Sequence, residues 1–256
     1  MKVVTDAREL PSACAFVPTM GALHAGHASL FRLAKKYSED VVASIFINPL
    51  QFENQIDLAT YPRTPEIDLE IAAAAGVTHL WLPQQAEIYP AGFSKESAGP
   101  IGDIYEGKSR PGHFDGVVTV VRRFFDLVKP KAAIFGEKDF QQLYLIKAIA
   151  GEVEIVAAPT IREGDGVAMS SRNIRLSPDA RIAAQVIYRA LSQAKSEIEL
   201  RQILATEPTF TLDYADYIDE QTFSHAQSDT QEVRAIVAGW INGIRLIDNM
   251  AMGNRA

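Results

Sequence analysis

Two histidines three residues apart, His24 and His27, flank Gly26 in the stretch "PTMGALHAGH" (18–27), directly after the apolar run "ACAFV". Imidazole nitrogens beside a glycine, where a strand gives way to a helix, suit an anion. Glycine lets the backbone come close to a ligand, and a helix that starts near His27 offers unpaired N–H groups and a positive dipole end to phosphate. Other readings stand beside this one. A histidine behind a strand commonly caps or packs, and a pair at this spacing can hold zinc, which needs a third ligand that the segment lacks.

Three more groups carry chemistry. "GEKDFQQ" (136–142) places a cation, Lys138, and an N-cap candidate, Asp139, at the end of an apolar run, although a single lysine is most often a solvated surface residue. "TIREGDGVAMSSRN" (160–173) brings the hydroxyls of Ser170 and Ser171 and the guanidinium of Arg172, with Gly164 and Gly166 as candidate hinges. Such a loop could close over a triphosphate, with Arg172 and Lys138 neutralising charge on a leaving group; an ordinary polar linker has the same composition. "NPLQF" (48–52) carries the amide of Gln51. Gly102–Ser109, "GDIYEGKS", fits the P-loop expression G-x-x-x-x-G-K-[ST], but no strand precedes it and Arg110-Pro111-Gly112 would stop a helix at once, so the match is read as accidental. The adjoining "KSRPGHF" offers Arg110 and His113 on a loop. The one cysteine, Cys14, lies in an apolar strand pattern and reads as a buried, inert thiol.

Positioning these groups falls to alternating strands and helices. Runs at 13–17, 41–47, 77–82, 132–136 and 154–159 read as buried strands, and 27–37, 65–76 and 114–128 as helices, the last with Val117, Val118, Val121, Phe124, Phe125 and Val128 on one face. Strands separated by helices predict a parallel sheet with right-handed crossovers, an open doubly wound α/β domain over 1–160. Over 161–256 the pattern changes to an α+β cap. A helix runs from Pro178 towards Ala194, "TFTLDYADYI" is a strand, and Asn242-Gly243 makes a two-residue turn between two more. In a doubly wound sheet, ligands bind outside the carboxyl ends of the strands, where all four polar groups fall.

The 256 residues, 47% of them hydrophobic, suffice for a substantial core. A net charge of −7 leaves no electrostatic footprint for nucleic acid. The start "MKVVTDAREL" lacks the apolar core of a secretory signal, and no run of about 18 apolar residues could cross a bilayer, so a cytoplasmic protein is expected.

Taken in order, "PTMGALHAGH", "FINPLQF", "YPRT", "RPGHFDGV", "FGEKDFQQ" and "MSSRN" resemble the pantoate–β-alanine ligases of the nucleotidylyltransferase superfamily, whose phosphate motif is H-x-G-H. The likeness spans the first domain and the entry to the second. After Pro178 it is weaker, and the chain looks short for the family there. The resemblance implies a Rossmann-like fold and a two-step ligation. ATP and pantoate form pantoyl adenylate and pyrophosphate with Mg²⁺, and β-alanine then attacks to give pantothenate and AMP. By the same resemblance Met20, Gly21, Ala22, Leu23, His24, Ala25, Gly26 and His27 bind ATP. Gly136, Glu137, Lys138 and Asp139 do so as well, with Ile161, Met169, Ser170, Ser171 and Arg172. His24, His27, Lys138, Ser170, Ser171 and Arg172 are the catalytic set, and Gln51 and Gln142 grip pantoate or β-alanine. The metal ligands are not assigned, and a homodimer is expected. A sister nucleotidylyltransferase with another acceptor, a synthetase acting on tRNA and a non-catalytic nucleotide sensor are the alternatives. Pantoate-dependent pyrophosphate exchange separates the first from the rest.

Overall fold

The computed structural model describes residues 1–52 and 55–253 and divides into two units, Met1–Glu137 with Gln141–Pro159, and Lys138–Phe140 with Thr160–Ala256.

In the first unit six strands form one parallel sheet, β1 (Lys2–Val4), β2 (Ala15–Thr19), β3 (Val41–Ile45), β4 (His79–Trp81), β5 (Ala132–Gly136) and β6 (Glu154–Ala158), in the order β1-β4-β3-β2-β5-β6. The chain builds outward from β2 first to one side and then to the other, so the switch point lies between β2 and β5. Five of the strands are those the apolar runs predict. The sixth, β1, is three residues long with two exposed, too short and too wet to leave a pattern. β2 starts later than expected because Ala13 has φ +56°, outside the extended region.

β2 also sets where strand pairing ends at the switch point. Ala15 N–H donates to Asp40 O and Phe46 N–H donates to Thr19 O, so the odd-numbered residues of β2 turn their polar groups to the β3 side. Lys131 N–H donates to Cys14 O, so the even-numbered ones face β5. Pro18 therefore faces β5 with no N–H to give, and the register between β2 and β5 stops at Ala15 and Phe16. The register with β3 continues to Thr19.

Helices cover both faces of this sheet. Ala25–Ala34 buries Ala28, Phe31 and Ala34, spaced for one helical face, and His113–Val128 buries the predicted valine and phenylalanine stripe. Completely burying a side chain such as Phe31 contributes about 2 kcal/mol. Cys14 is fully buried, and loss of hydration pushes its thiol up to about 12, the inert state expected of it.

The second unit packs the helices Pro178–Gln193 and Glu197–Leu204 on an antiparallel sheet of β7 (Phe210–Asp219), β8 (Val233–Ile241) and β9 (Ile244–Ala251). Ser177 and Ser196 cap the two helices by accepting from Ala180 N and Glu199 N. Asn242 (φ +49°) and Gly243 (φ +76°) turn β8 into β9 with both residues in the left-handed region that the Asn-Gly pair predicts. Ala184, Ile187, Leu191, Leu200 and Val237 lie at the centre of its core. Among the described residues no helix is long and apolar enough to cross a membrane.

Candidate active site

At the carboxyl end of β2 the histidine pair forms a reciprocal cap on the helix Ala25–Ala34. His24 Nδ1 accepts from Gly26 N–H at 3.1 Å, and His27 Nδ1 accepts from His24 N–H at 3.3 Å, with the rings 4.2 Å apart. The capping reading and the anion reading are thus compatible. Because each Nδ1 accepts a main-chain proton, each neutral ring carries its own proton on Nε2, which makes that atom a donor. The i, i+3 spacing fixes two tautomers at once.

The approach to this cap is held by a residue the motifs did not single out. Asp68, 2% exposed on the helix Pro65–Ala74, accepts from Leu23 N–H at 2.7 Å through Oδ1 and from Ala22 N–H at 3.1 Å through Oδ2, and Thr64 donates to it at 3.0 Å. Gly21, at φ +83°, passes so close that a Cβ there would lie 3.0 Å from Asp68 Oδ2, and Ala22 follows at φ +49°. A buried carboxylate thus dictates an unusual backbone that no local propensity favours.

Beyond β3, Asn48 is fully buried and uses its whole amide. Oδ1 accepts from Tyr89 OH at 2.7 Å and Leu50 N–H at 3.2 Å, while Nδ2 donates to Gln51 Oε1 at 2.9 Å and Gly116 O at 3.0 Å. Burial raises the Tyr89 phenol well above its ordinary value, so it stays a donor. Asn48 thereby orients the Gln51 amide, leaving Nε2 as its donor end. The "KSRPGHF" stretch binds the same segment. His113 Nδ1 donates to Gln51 O at 2.9 Å, and Arg110 donates to His113 Nε2 at 3.1 Å and to Gln51 O at 3.4 Å. Gly116 makes the contact geometrically feasible, since a Cβ there would sit 2.3 Å from Leu50 O.

Two adjacent glutamines after β5 divide their work. Gln141, buried, donates to Ile101 O and Ile104 O at 2.7 and 2.8 Å and accepts from Glu106 N–H at 3.1 Å. Gln142 is half-buried on the same helix, and no side-chain hydrogen bond ties it to the described residues. The P-loop look-alike is packing. It holds a short 3-10 turn and the four-residue helix Glu106–Ser109 with no strand before it, and a Cβ on Gly107 would lie 1.7 Å from Gly102 O.

Met20–His27, Gln51, Glu137 and Gln142 thus all belong to the first unit, in segments that follow β2, β3 and β5, as does Gly136, the last residue of β5. Lys138, Asp139, Ile161, Met169, Ser170, Ser171 and Arg172 belong to the second. There Lys138 Nζ lies 3.1 Å from Asp139 Oδ1, and Asp139 ends a 3-10 turn, Glu137–Asp139, that runs on into the helix Phe140–Ile149. Residues 161–169 fold back on themselves, Met169 N–H donating to Ile161 O and Glu163 N–H to Val167 O, both at 2.9 Å. Gly166 makes the turn rather than a hinge. Its φ is +88°, and a Cβ would lie 2.1 Å from the Tyr188 ring. Ser170 Oγ then accepts from Arg172 N–H at 3.3 Å, capping the turn Ser171–Arg175.

Arg181 grips the outer end of this fold-back, meeting Asp165 at 2.6 Å and Glu163 at 2.7 Å. The hydrogen bonds from Arg181 hold both carboxyls below their ordinary values. Depressed carboxyls contribute stability that is complete above their unfolded values, near pH 4, and is lost as pH falls through the folded ones. In urea titrations, Arg181→Met is therefore expected to be less stable than the parent at pH 7 and to converge with it towards pH 2. A constant gap across that range would remove the clamp from the account.

No group of three or more His, Cys, Asp or Glu side chains among the described residues is arranged to hold a metal ion.

A doubly wound parallel sheet with a reciprocal histidine cap at the carboxyl end of its central strand β2 and an oriented amide beyond β3 is the arrangement of an α/β enzyme that takes its ligand at the switch point. The family model described as pantoate-beta-alanine ligase matches residues 1–251, and the chain belongs to that family. It is 45% identical over 257 residues to the pantothenate synthetase of Acidothermus cellulolyticus, covering 93% of this chain and 85% of that one. The crystal structure of pantothenate synthetase from Thermus thermophilus superposes with a TM-score of 0.92 at 40% identity, over 99% of this chain and 100% of that one. The pantoate-beta-alanine ligase from Francisella tularensis, in complex with beta-gamma ATP and beta-alanine, gives 0.83 at 36% identity over 98% of both chains. The chain is accordingly a carbon–nitrogen ligase that joins pantoate to β-alanine.

Proposed function

We propose that the cap at His24 and His27 binds the phosphates of ATP while the oriented amide of Gln51, together with Gln142, holds pantoate for in-line attack. The observation that carries this reading is the reciprocal cap, which engages both Nδ1 atoms and so sets the proton of each neutral ring on Nε2, at the start of a helix behind β2. A carboxylate is already a nucleophile, so the site has to align it with the α-phosphorus and stabilise charge on the departing oxygens. His24 and His27 donate to phosphate oxygens, and His27 is the proton donor to the leaving group. Lys138 and Arg172 neutralise the growing charge, and Ser170 and Ser171 donate to the pyrophosphate. In the second step the amine of β-alanine attacks the acyl carbon of the adenylate and AMP leaves. No covalent enzyme intermediate is needed, in keeping with the inert Cys14.

Met20–Leu23, Ala25, Gly26, Gly136, Glu137, Asp139, Ile161 and Met169 complete the nucleotide contacts in this reading. Mg²⁺, when bound with ATP, would offset the charge of the phosphates, and no residue of this chain is assigned to hold it. The family resemblance adds a homodimer working in the cytoplasm, which sedimentation and cell fractionation test.

Exchange of labelled pyrophosphate into ATP is expected with pantoate and without β-alanine. Exchange that requires a different acceptor would transfer the site to that acceptor, and ATP binding with no exchange would leave a sensor. A second expectation concerns Gln51 alone. In Gly116→Ala, the new methyl pushes Leu50 and Gln51 aside at a cost of about 1–3 kcal/mol. KM for pantoate should rise about tenfold or more while KM for ATP holds. Equal changes in both constants would speak against a pantoate role for Gln51.

A further inference from the structure

Adjacent residues on β9 hold both segments of the second unit that carry assigned cations. Asn249, 4% exposed, donates from Nδ2 to Lys138 O at 2.8 Å and accepts at Oδ1 from Arg234 Nη1 at 2.6 Å. Arg234 is itself buried, bonded to Glu220 at 2.9 Å and lying 4.1 Å from the Phe140 ring centroid, two residues beyond Lys138. One position earlier, Asp248 is 5% exposed and takes both ends of the Arg162 guanidinium, at 2.5 and 3.0 Å. Arg162 also donates to Gly166 O at 3.1 Å and Asn249 O at 3.4 Å, and lies over the Tyr188 ring. It therefore fixes the fold-back from which Ser170–Arg172 emerges.

Neighbouring residues of a strand project to opposite faces. Asp248 shares its face with Leu246 and Met250, which pack on the core, and Asn249 takes the other. One strand thus grips two segments from two sides, one through the charge-assisted Arg162–Asp248 pair and the other through the Asn249 amide on the Lys138 carbonyl.

We propose that Asp248 and Asn249 are positioning residues for adenylate formation, setting the main chain under Lys138 and the root of the Ser170–Arg172 turn in one fixed relation. The proposal rests on the reading that Lys138 acts on the phosphates. It assigns the C-terminal hairpin a part in the first chemical step.

Asn249→Asp is the discriminating variant. It keeps the volume and an acceptor for Arg234 but sets an oxygen against Lys138 O. Pantoate-dependent pyrophosphate exchange should fall at least about tenfold, with KM for pantoate within about twofold and Tm within a few degrees of the parent. The double variant with Lys138→Ala should be no slower than Lys138→Ala alone, because both act through one ammonium. Parental exchange in Asn249→Asp beside a crippled Lys138→Ala overturns the positioning role and leaves the lysine reading intact. Losses that multiply in the double variant also overturn it. Full activity in Lys138→Ala overturns the lysine reading, and the proposal with it. Should Asn249→Asp fail to fold, Asp248→Asn, which keeps a neutral acceptor for Arg162, carries the same expected loss of exchange, with Arg172→Ala replacing Lys138→Ala in the double variant; parental exchange in Asp248→Asn, or losses that multiply in that double variant, overturn the positioning role.

Discussion

His27→Ala is expected to slow pantoate-dependent pyrophosphate exchange by about 10²–10³, the usual cost of removing one preorganised donor from a developing anion. The variant should retain its fold. The helix Ala25–Ala34 loses only one member of the reciprocal cap, His24 Nδ1 still accepting from Gly26 N–H at 3.1 Å. A cap of this kind is worth about 1 kcal/mol. Rate and stability therefore separate, with a large loss in kcat against a shift of a few degrees in Tm. His27→Gln sharpens the test, since its amide can donate where Nε2 did and should recover part of the rate. Full exchange in His27→Ala would take the imidazole out of the chemistry and leave it as a cap.

Asp68→Asn should lose both stability and rate, although Asp68 is assigned no contact with substrate. Oδ1 and Oδ2 accept from Leu23 N–H and Ala22 N–H, so an amide must point its NH₂ at one of those donors. A buried donor facing a donor costs about 1–3 kcal/mol. The backbone from Gly21 to Leu23 then relaxes from its left-handed conformation, and the histidines that follow lose their aim. Exchange should fall about tenfold or more, and Asp68→Ala should fall further. Unchanged kinetics in a destabilised Asp68→Asn would show that the cap keeps its geometry without the carboxylate.

How much of this was legible in the sequence depended on whether a signal was local. The Asn242-Gly243 turn, the valine and phenylalanine stripe of His113–Val128 and the central strands are written in spacing and turn chemistry, and they fold as read. Asp68 was hidden because its helix inverts the ordinary rule. Ile67 and Leu69 are 52% and 36% exposed, and the carboxylate between them is buried to serve a loop over forty residues away. Asn48 looked like part of a motif rather than its organiser, since two of the partners that complete its amide, Tyr89 and Gly116, stand 41 and 68 residues away in the chain. Gly166 suggested a hinge by residue type alone, whereas Tyr188, unknowable from local sequence, makes it a fixed turn. β1 left no trace, being an edge strand of three residues. The histidine pair invited a choice between capping and anion binding that the two ring nitrogens make unnecessary.

Pro18 supplies an absence that works as a construction element. Because an imino acid faces β5 where the ladder would otherwise zip onward, the end of the pairing between the two central strands is written into covalent structure and needs no ligand to hold it. Affinity need not be diverted to prising a sheet apart, so the free and loaded proteins should share one sheet geometry.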